Sequence, residues 1–178
     1  IKISDEAFED LITYFKDQDE KVIICMYGDH QPSWDDDVKE LLDNHPAWED
    51  ESLQAISKYY VPYIVWANFE IDEYDNLMKW NEKASSLEKS KLNKLSTNYV
   101  GSYLMNTAGV RLSQYDRYLL SLHDDLPAVT AIGIWDNEGN YYENAASSPY
   151  ADRLRDQEYI QYNLIFDEQN KLTEYFLP

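Results

Sequence analysis

This 178-residue chain has one cysteine, Cys25, so no disulfide can close within it. Cys25 lies inside an apolar run and reads as an inert core residue. Positive charge is scarce: 15 Lys and Arg stand against 34 Asp and Glu, a net charge of −19. Such a surface repels nucleic acid and anionic lipid, which argues against both as partners. An anionic substrate would need a local positive centre, and a bound divalent cation is one way to supply it. No apolar run approaches the roughly 18 residues that a membrane span needs. No signal peptide is visible either, so the segment is expected to be soluble. The chain opens Ile1-Lys2-Ile3 without an initiator Met, and it is expected to be cut from a longer polypeptide. The length suits one domain, or one domain with a small lobe.

What the chain does have is concentrated in Lys21–Ser33, KVIICMYGDHQPS. Val22 to Tyr27 is a continuous apolar run that stops at Gly28, and it reads as a buried strand. Apolar-throughout strands are typical of parallel sheets covered on both faces. Ligands of open α/β sheets bind beyond the carboxyl ends of the strands, where Asp29 and His30 sit side by side. Neighbouring side chains on a strand point to opposite faces. The two can therefore share an ion only if the chain turns, for which Gly28 offers a positive φ and Pro32 prevents continuation. A carboxylate beside an imidazole suits Mn²⁺ or Zn²⁺ better than Ca²⁺. The bland alternative is a loop Asp making a local turn beside a partly exposed His.

Elsewhere the pattern is mostly that of a helical and stranded core. Ser4-Asp5-Glu6 starts a helix with Phe8, Leu11, Ile12 and Phe15 on one face. Asp35, Asp36 and Asp37 open another helix, where the dipole accounts for acids better than a metal does. His45 beside Pro46 reads as a surface loop residue. Tyr59–Ala67 is a second strand, expected to lie next to the first and mostly parallel to it. Asn68 leaves that strand as a turn former that could also touch substrate. Residues 72–94 read as a polar, mobile excursion, partly helical around Leu87. Ser96-Thr97-Asn98 caps a helix ending at Gly109, and Ser113 starts the next. His123 suits the last turn of that helix. Ala128–Trp135 reads as one strand, turning through Asp136–Asn140 into Tyr141–Glu143. A helix follows from about Pro149 to Gln161, and Leu172–Phe176 reads as a short strand. The 16 Tyr and 5 Trp invite a sugar-stacking role, but packing accounts for most of them.

GDHQPS after an apolar strand resembles the metal-binding motif of lipoteichoic acid synthases and related phosphoglycerol transferases. That group belongs to the alkaline phosphatase/sulfatase superfamily. The similarity continues through Val61-Pro62-Tyr63-Ile64-Val65-Trp66-Ala67-Asn68 and Thr97-Asn98-Tyr99-Val100-Gly101. It runs on through Ala108-Gly109-Val110, Leu112-Ser113, Tyr118–Leu122, Leu126-Pro127 and Gly139–Tyr142. Leu154-Arg155-Asp156 and Gln161–Leu164 close the set, whose order spans nearly the whole chain.

The resemblance implies an α/β fold holding part of an alkaline phosphatase-like sheet. That sheet would be mostly parallel, flanked by helices, with a small antiparallel C-terminal portion. Residues 1–125 would form the α/β part with the metal loop and 126–178 a smaller lobe. Asp29 and His30 would be ligands of a divalent metal, Mn²⁺ foremost, with Mg²⁺ or Zn²⁺ also possible. The family's further acidic ligand and its nucleophilic Thr would lie upstream, so no catalytic residue is expected in these 178 residues. Thr13 does not qualify, because it falls on the first helix. The implied parent is a membrane-anchored transferase on the extracytoplasmic face of a bacterial membrane. It would move glycerophosphate from a lipid-linked donor onto a cell-envelope polymer or glycan, and its upstream half would partner this segment. Lipoteichoic acid synthases proper carry a different pair after Gly-Asp-His, so Gln31-Pro32 implies a neighbouring subgroup. A hydrolase of phosphate or sulfate esters and a non-catalytic glycan-binding module with this fold are the alternatives.

Overall fold

The computed structural model describes residues 2–31, 36–37, 40, 59–70 and 95–178. They fall into two compact units, residues 1–70 and 71–178. In the first, α1 (Lys2–Lys16) begins two residues before Ser4, which therefore lies within its first turn. Phe8, Ile12 and Phe15 form its half-buried face. β1 (Ile23–Tyr27) and β2 (Tyr63–Ala67) form a two-stranded sheet.

The two strands are adjacent, as expected, but antiparallel. Ile23 pairs with Ala67, Cys25 with Val65 and Tyr27 with Tyr63. The mostly parallel sheet is thereby overturned, and among the described residues every strand pair is antiparallel. Apolar side chains on both faces of a strand report that both faces are meant to be covered; they carry no information about direction. An antiparallel pair also needs no helical crossover. Of the segment linking the strands, Asp36, Asp37 and Glu40 are helical. Asp35, His45 and the 72–94 excursion lie outside the described residues.

The second unit holds α2 (Thr97–Thr107), α3 (Gln114–Asp125), β3 (Ala128–Thr130), β4 (Gly133–Trp135) and β5 (Tyr141–Tyr142). A 3₁₀ turn (Ala145–Ser147), α4 (Ala151–Phe166) and α5 (Thr173–Phe176) complete it. Its core joins Tyr99 of α2 and Leu119 and Leu122 of α3 to Leu126, Ile134 and Leu154. α2 ends in a Schellman motif. Gly109 takes φ +69°, its N–H bonds the Asn106 carbonyl at 3.1 Å, and Val110 N–H bonds Met105 O at 2.9 Å. Ser113 and Asp116 form a capping box on α3, and Ser102 Oγ donates to the same Asp116 carboxylate at 2.8 Å, tying α2 to that cap. Ser96 precedes α2 without capping it through its side chain. Its hydroxyl instead accepts from Val129 N–H at 2.7 Å, docking β3.

The expected single strand Ala128–Trp135 is two strands joined by a tight turn. Thr130 makes that turn: its Oγ1 donates to Gly133 O at 2.8 Å and accepts from Ile132 N–H at 3.2 Å. Leu172–Phe176 is no strand; α5 begins there, and Phe176 stacks edge-on against Tyr115 of α3 at 5.4 Å. α4 exposes an aromatic stripe, Tyr159, Tyr162 and Phe166, opposite its core contact Leu154.

Gly133 faces the ring of Tyr141, with Cζ and Oη both 3.0 Å from where a Cβ would stand. Tyr141 is fixed there by Trp135, ring to ring at 4.7 Å, and by donating its hydroxyl to Ile132 O. Gly133→Ala should therefore force Tyr141 out and cost about 1–3 kcal/mol, as overpacking does. Urea unfolding of the variant checks this, and an unchanged midpoint would show that the ring contact contributes nothing.

Candidate metal-binding loop

The chain leaves β1 at Gly28, whose N–H bonds Pro62 O at 3.2 Å. The sequence suggests a positive φ here, yet the only positive-φ glycines among the described residues are Gly109, Gly133 and Gly139. Gly28 serves close approach instead: a Cβ on it would stand 3.0 Å from Val61 Cβ and 3.2 Å from Cγ1. The backbone then bends at Asp29 and His30.

That bend brings the two side chains to one side. His30 N–H donates to Asp29 Oδ1 at 2.8 Å, which anchors the carboxylate. His30 Nε2 lies 3.5 Å from the other oxygen, Oδ2. His30 Nδ1 lies 2.8 Å from Gln31 O. A carbonyl can only accept, so this bond requires the proton on Nδ1 and leaves Nε2 with its lone pair in the neutral ring. Gln31 Nε2 in turn donates to Tyr60 O at 2.7 Å, fastening the loop to the approach of β2.

Two ligands on a tetrahedral ion, each about 2.0–2.1 Å from it, stand about 3.3–3.4 Å apart. The Oδ2–Nε2 separation fits that spacing. An imidazole whose second nitrogen donates to a backbone carbonyl is also the usual outer arrangement of a metal-bound His. The donor set thus suits a borderline divalent ion, but it is short. Among the described residues no group of three or more His, Cys, Asp or Glu side chains gathers around a common point. Both side chains are open to solvent, at 87% for Asp29 and 77% for His30, so further donors have room to reach them.

The other candidates resolve differently. Asn68 is consumed by structure. Its Oδ1 accepts from Val22 N–H at 2.9 Å, and its Nδ2 donates to Phe15 O, Glu20 O and Gln18 O at 2.9, 2.8 and 3.3 Å. An open cleft of about 500 Å³ runs beside it, lined among others by Ile12, Lys16, Trp66 and Phe69. That cleft sits at the far end of the β1–β2 ribbon from Asp29 and His30. His123 is a core residue, only 8% exposed and set edge-on to Tyr99 at 5.3 Å. Partial burial pushes the Cys25 thiol up, away from reactive thiolate, but the side chain is only half-buried and is not the core residue the sequence suggests. Thr13 lies within α1. No helix among the described residues is long and apolar enough to cross a membrane.

Comparison of the chain with protein-family models, with curated proteins and with solved structures returns no match.

Proposed function

We propose that this chain is the metal-loop part of a divalent-metal-dependent phosphoglycerol transferase of the lipoteichoic acid synthase type. The observation that carries the reading is the pairing of Asp29 Oδ2 with His30 Nε2 at 3.5 Å, with Nδ1 committed to Gln31 O. In this reading Asp29 and His30 hold the ion, Mn²⁺ foremost, and Gln31 fixes the imidazole tautomer. When bound, the ion supplies Lewis acidity and lowers the pKa of a coordinated hydroxyl. The remaining donors and the nucleophilic hydroxyl come from outside the described residues, on the upstream half of the parent polypeptide. The donor substrate is a lipid-linked glycerophosphate and the acceptor an envelope polymer or glycan, on the extracytoplasmic face of a bacterial membrane. The net charge of −19 supports a metal requirement, because so acidic a chain repels an anionic donor and a bound cation offsets that locally.

Two ligands leave an ion mostly hydrated, so the chain alone should bind Mn²⁺ weakly, with a Kd above about 100 µM, and should turn over no glycerophosphate ester. Paramagnetic broadening of NMR signals by Mn²⁺ registers weak sites residue by residue. Broadening should centre on residues 28–31 and disappear in Asp29→Ala and His30→Ala. Uniform broadening over the acidic surface, unaltered by either substitution, would remove the metal reading. Submicromolar affinity in calorimetry would show instead that the site is complete within these 178 residues. In the whole transferase, Asp29→Ala should abolish transfer, and analysis of the product separates transfer from hydrolysis.

A further inference from the structure

The β1–β2 ladder ends on a rung made by a side chain. Two bonds fix the phase of the ladder, Asn68 N–H to Val22 O and Gly28 N–H to Pro62 O, both at 3.2 Å. Val22, Ile24, Met26 and Gly28 therefore turn their backbone groups toward the opposite strand, in the register that sets Cys25 against Val65. The rung at Gly28 is a single bond, because Pro62 has no N–H to return. Two residues further on, an unbent strand would set His30 opposite Tyr60 and aim His30 N–H at Tyr60 O.

The chain does not take that path. It bends at Asp29 and His30, and His30 N–H is spent on Asp29 Oδ1 at 2.8 Å. The Gln31 side chain fills the rung that the bend gives up: its Nε2 donates to Tyr60 O at 2.7 Å. The main-chain carbonyl of the same residue takes His30 Nδ1 at 2.8 Å, so Gln31 holds both the backbone and the ring of the bend. Most of the chain joining Gln31 to Tyr59 lies outside the described residues, and each of these bonds runs between described ones.

We propose that the Gln31 carboxamide is the positioning group of the metal pair: by occupying Tyr60 O it keeps His30 N–H from pairing there and holds the chain bent. Two backbone states compete. In the bent state Asp29 Oδ2 and His30 Nε2 stand 3.5 Å apart on one side. In the straight state the ladder gains a His30–Tyr60 rung, neighbouring side chains point to opposite faces, and the pair cannot share an ion. Tyr60 O is satisfied in both, once by the side chain of Gln31 and once by the backbone of His30. The donor on residue 31 therefore decides between them. That the pair holds an ion rests on the reading of Asp29 and His30 as ligands; the competition between the two backbone states does not.

NMR of the full chain without metal tests the competition. Gln31→Met keeps the length of the side chain and removes its donor. His30 N–H should then move to Tyr60 O. The α-protons of Asp29 and Val61, a directly opposed pair without hydrogen bonds in the straight strand, should come into contact. The equivalent contact between Cys25 and Val65 should persist and report that the ribbon is folded. Gln31→Lys returns a donor of similar reach and should return the bend. In a Mn²⁺ titration, Gln31→Met should need about tenfold more ion to broaden residues 28–31, the usual scale for losing an outer partner of a metal ligand. A His30 amide that stays on Asp29 in Gln31→Met would overturn the proposal. So would one that opens to solvent with no Asp29–Val61 contact. Weaker Mn²⁺ broadening with the bend unchanged would also overturn it, by making Gln31 a ligand in its own right. Uniform broadening of the wild type, with a straightened strand in Gln31→Met, would remove the metal reading and leave the competition standing.

Discussion

Asn68→Ala should cost the first unit about 2–3 kcal/mol, and Asn68→Asp should cost more. The carboxamide ties the end of α1 and the turn after it to the strands. Its oxygen accepts from Val22 N–H, while the Asn68 backbone N–H donates to Val22 O, so Asn68 grips that residue from two sides. Its amide nitrogen meets three carbonyls, those of Phe15, Gln18 and Glu20, where α1 ends and the chain runs into β1. Carbonyls at a helix end lack partners within the helix, so a side chain that reaches them acts as a cap from a distant strand. Alanine removes the side-chain bonds and keeps the backbone one, but water can reach the freed groups, since Asn68 is only half-buried, and this limits the loss. Aspartate keeps the acceptor and turns the donor into an anion facing carbonyl oxygens, which adds repulsion to the loss. The order Asn, then Ala, then Asp is therefore the signature of a cap; a turn residue valued only for its backbone would tolerate Asp. Native-state hydrogen exchange at the β1 and β2 amides reads the three proteins directly. Equal protection in all three would show that Asn68 does not hold the ribbon.

Much of this ribbon was legible in the sequence, and its direction was not. Val22–Tyr27 and Tyr60–Ala67 announce strands by apolar runs rich in β-branched and aromatic residues, and β1 and β2 lie within them. Direction depends on how the intervening chain returns, and no residue in either strand encodes that. Asp29 and His30 were legible as a pair because a strand end followed by Gly is a place where a chain can bend. The lock on the imidazole was not legible, because it is made by the Gln31 backbone, whose chemistry every residue shares. The split of Ala128–Trp135 was hidden for a similar reason. The turn is made by the Thr130 hydroxyl rather than by an Asn-Gly or Pro-Gly signal, and Thr is also a good strand residue. The helical turn at α5 escaped because four residues are too few to show a period.

Asp136 should be the acid-labile point of the second unit. The sequence marks it as a hairpin-turn residue, but the structure gives it more to do. It is 3% exposed, and its carboxylate accepts four hydrogen bonds. Glu138 N–H and Asn140 N–H reach Oδ1 at 3.0 and 2.8 Å; Asn140 Nδ2 and Tyr142 OH reach Oδ2, both at 2.9 Å. Burial by itself would raise this carboxyl, but the bonds from Asn140, Tyr142 and Glu138 outweigh it and hold the group below the usual carboxylate range. A carboxyl whose folded pKa lies below its unfolded value stabilises the fold above the unfolded pKa, near 3.9, and that contribution is lost as pH falls through the folded pKa. Asp136→Asn keeps the shape but places an amide N–H₂ where donors already converge. It should cost about 2–3 kcal/mol at neutral pH. The gap between wild type and variant should then close as pH falls below the unfolded pKa and through the lowered folded one, because the protonated wild-type carboxyl loses the same bonds. Urea unfolding from neutral pH down through the acid transition decides the matter. A gap that stays constant through the whole acid transition would mean that the charge on Asp136 is irrelevant and only its shape holds the turn.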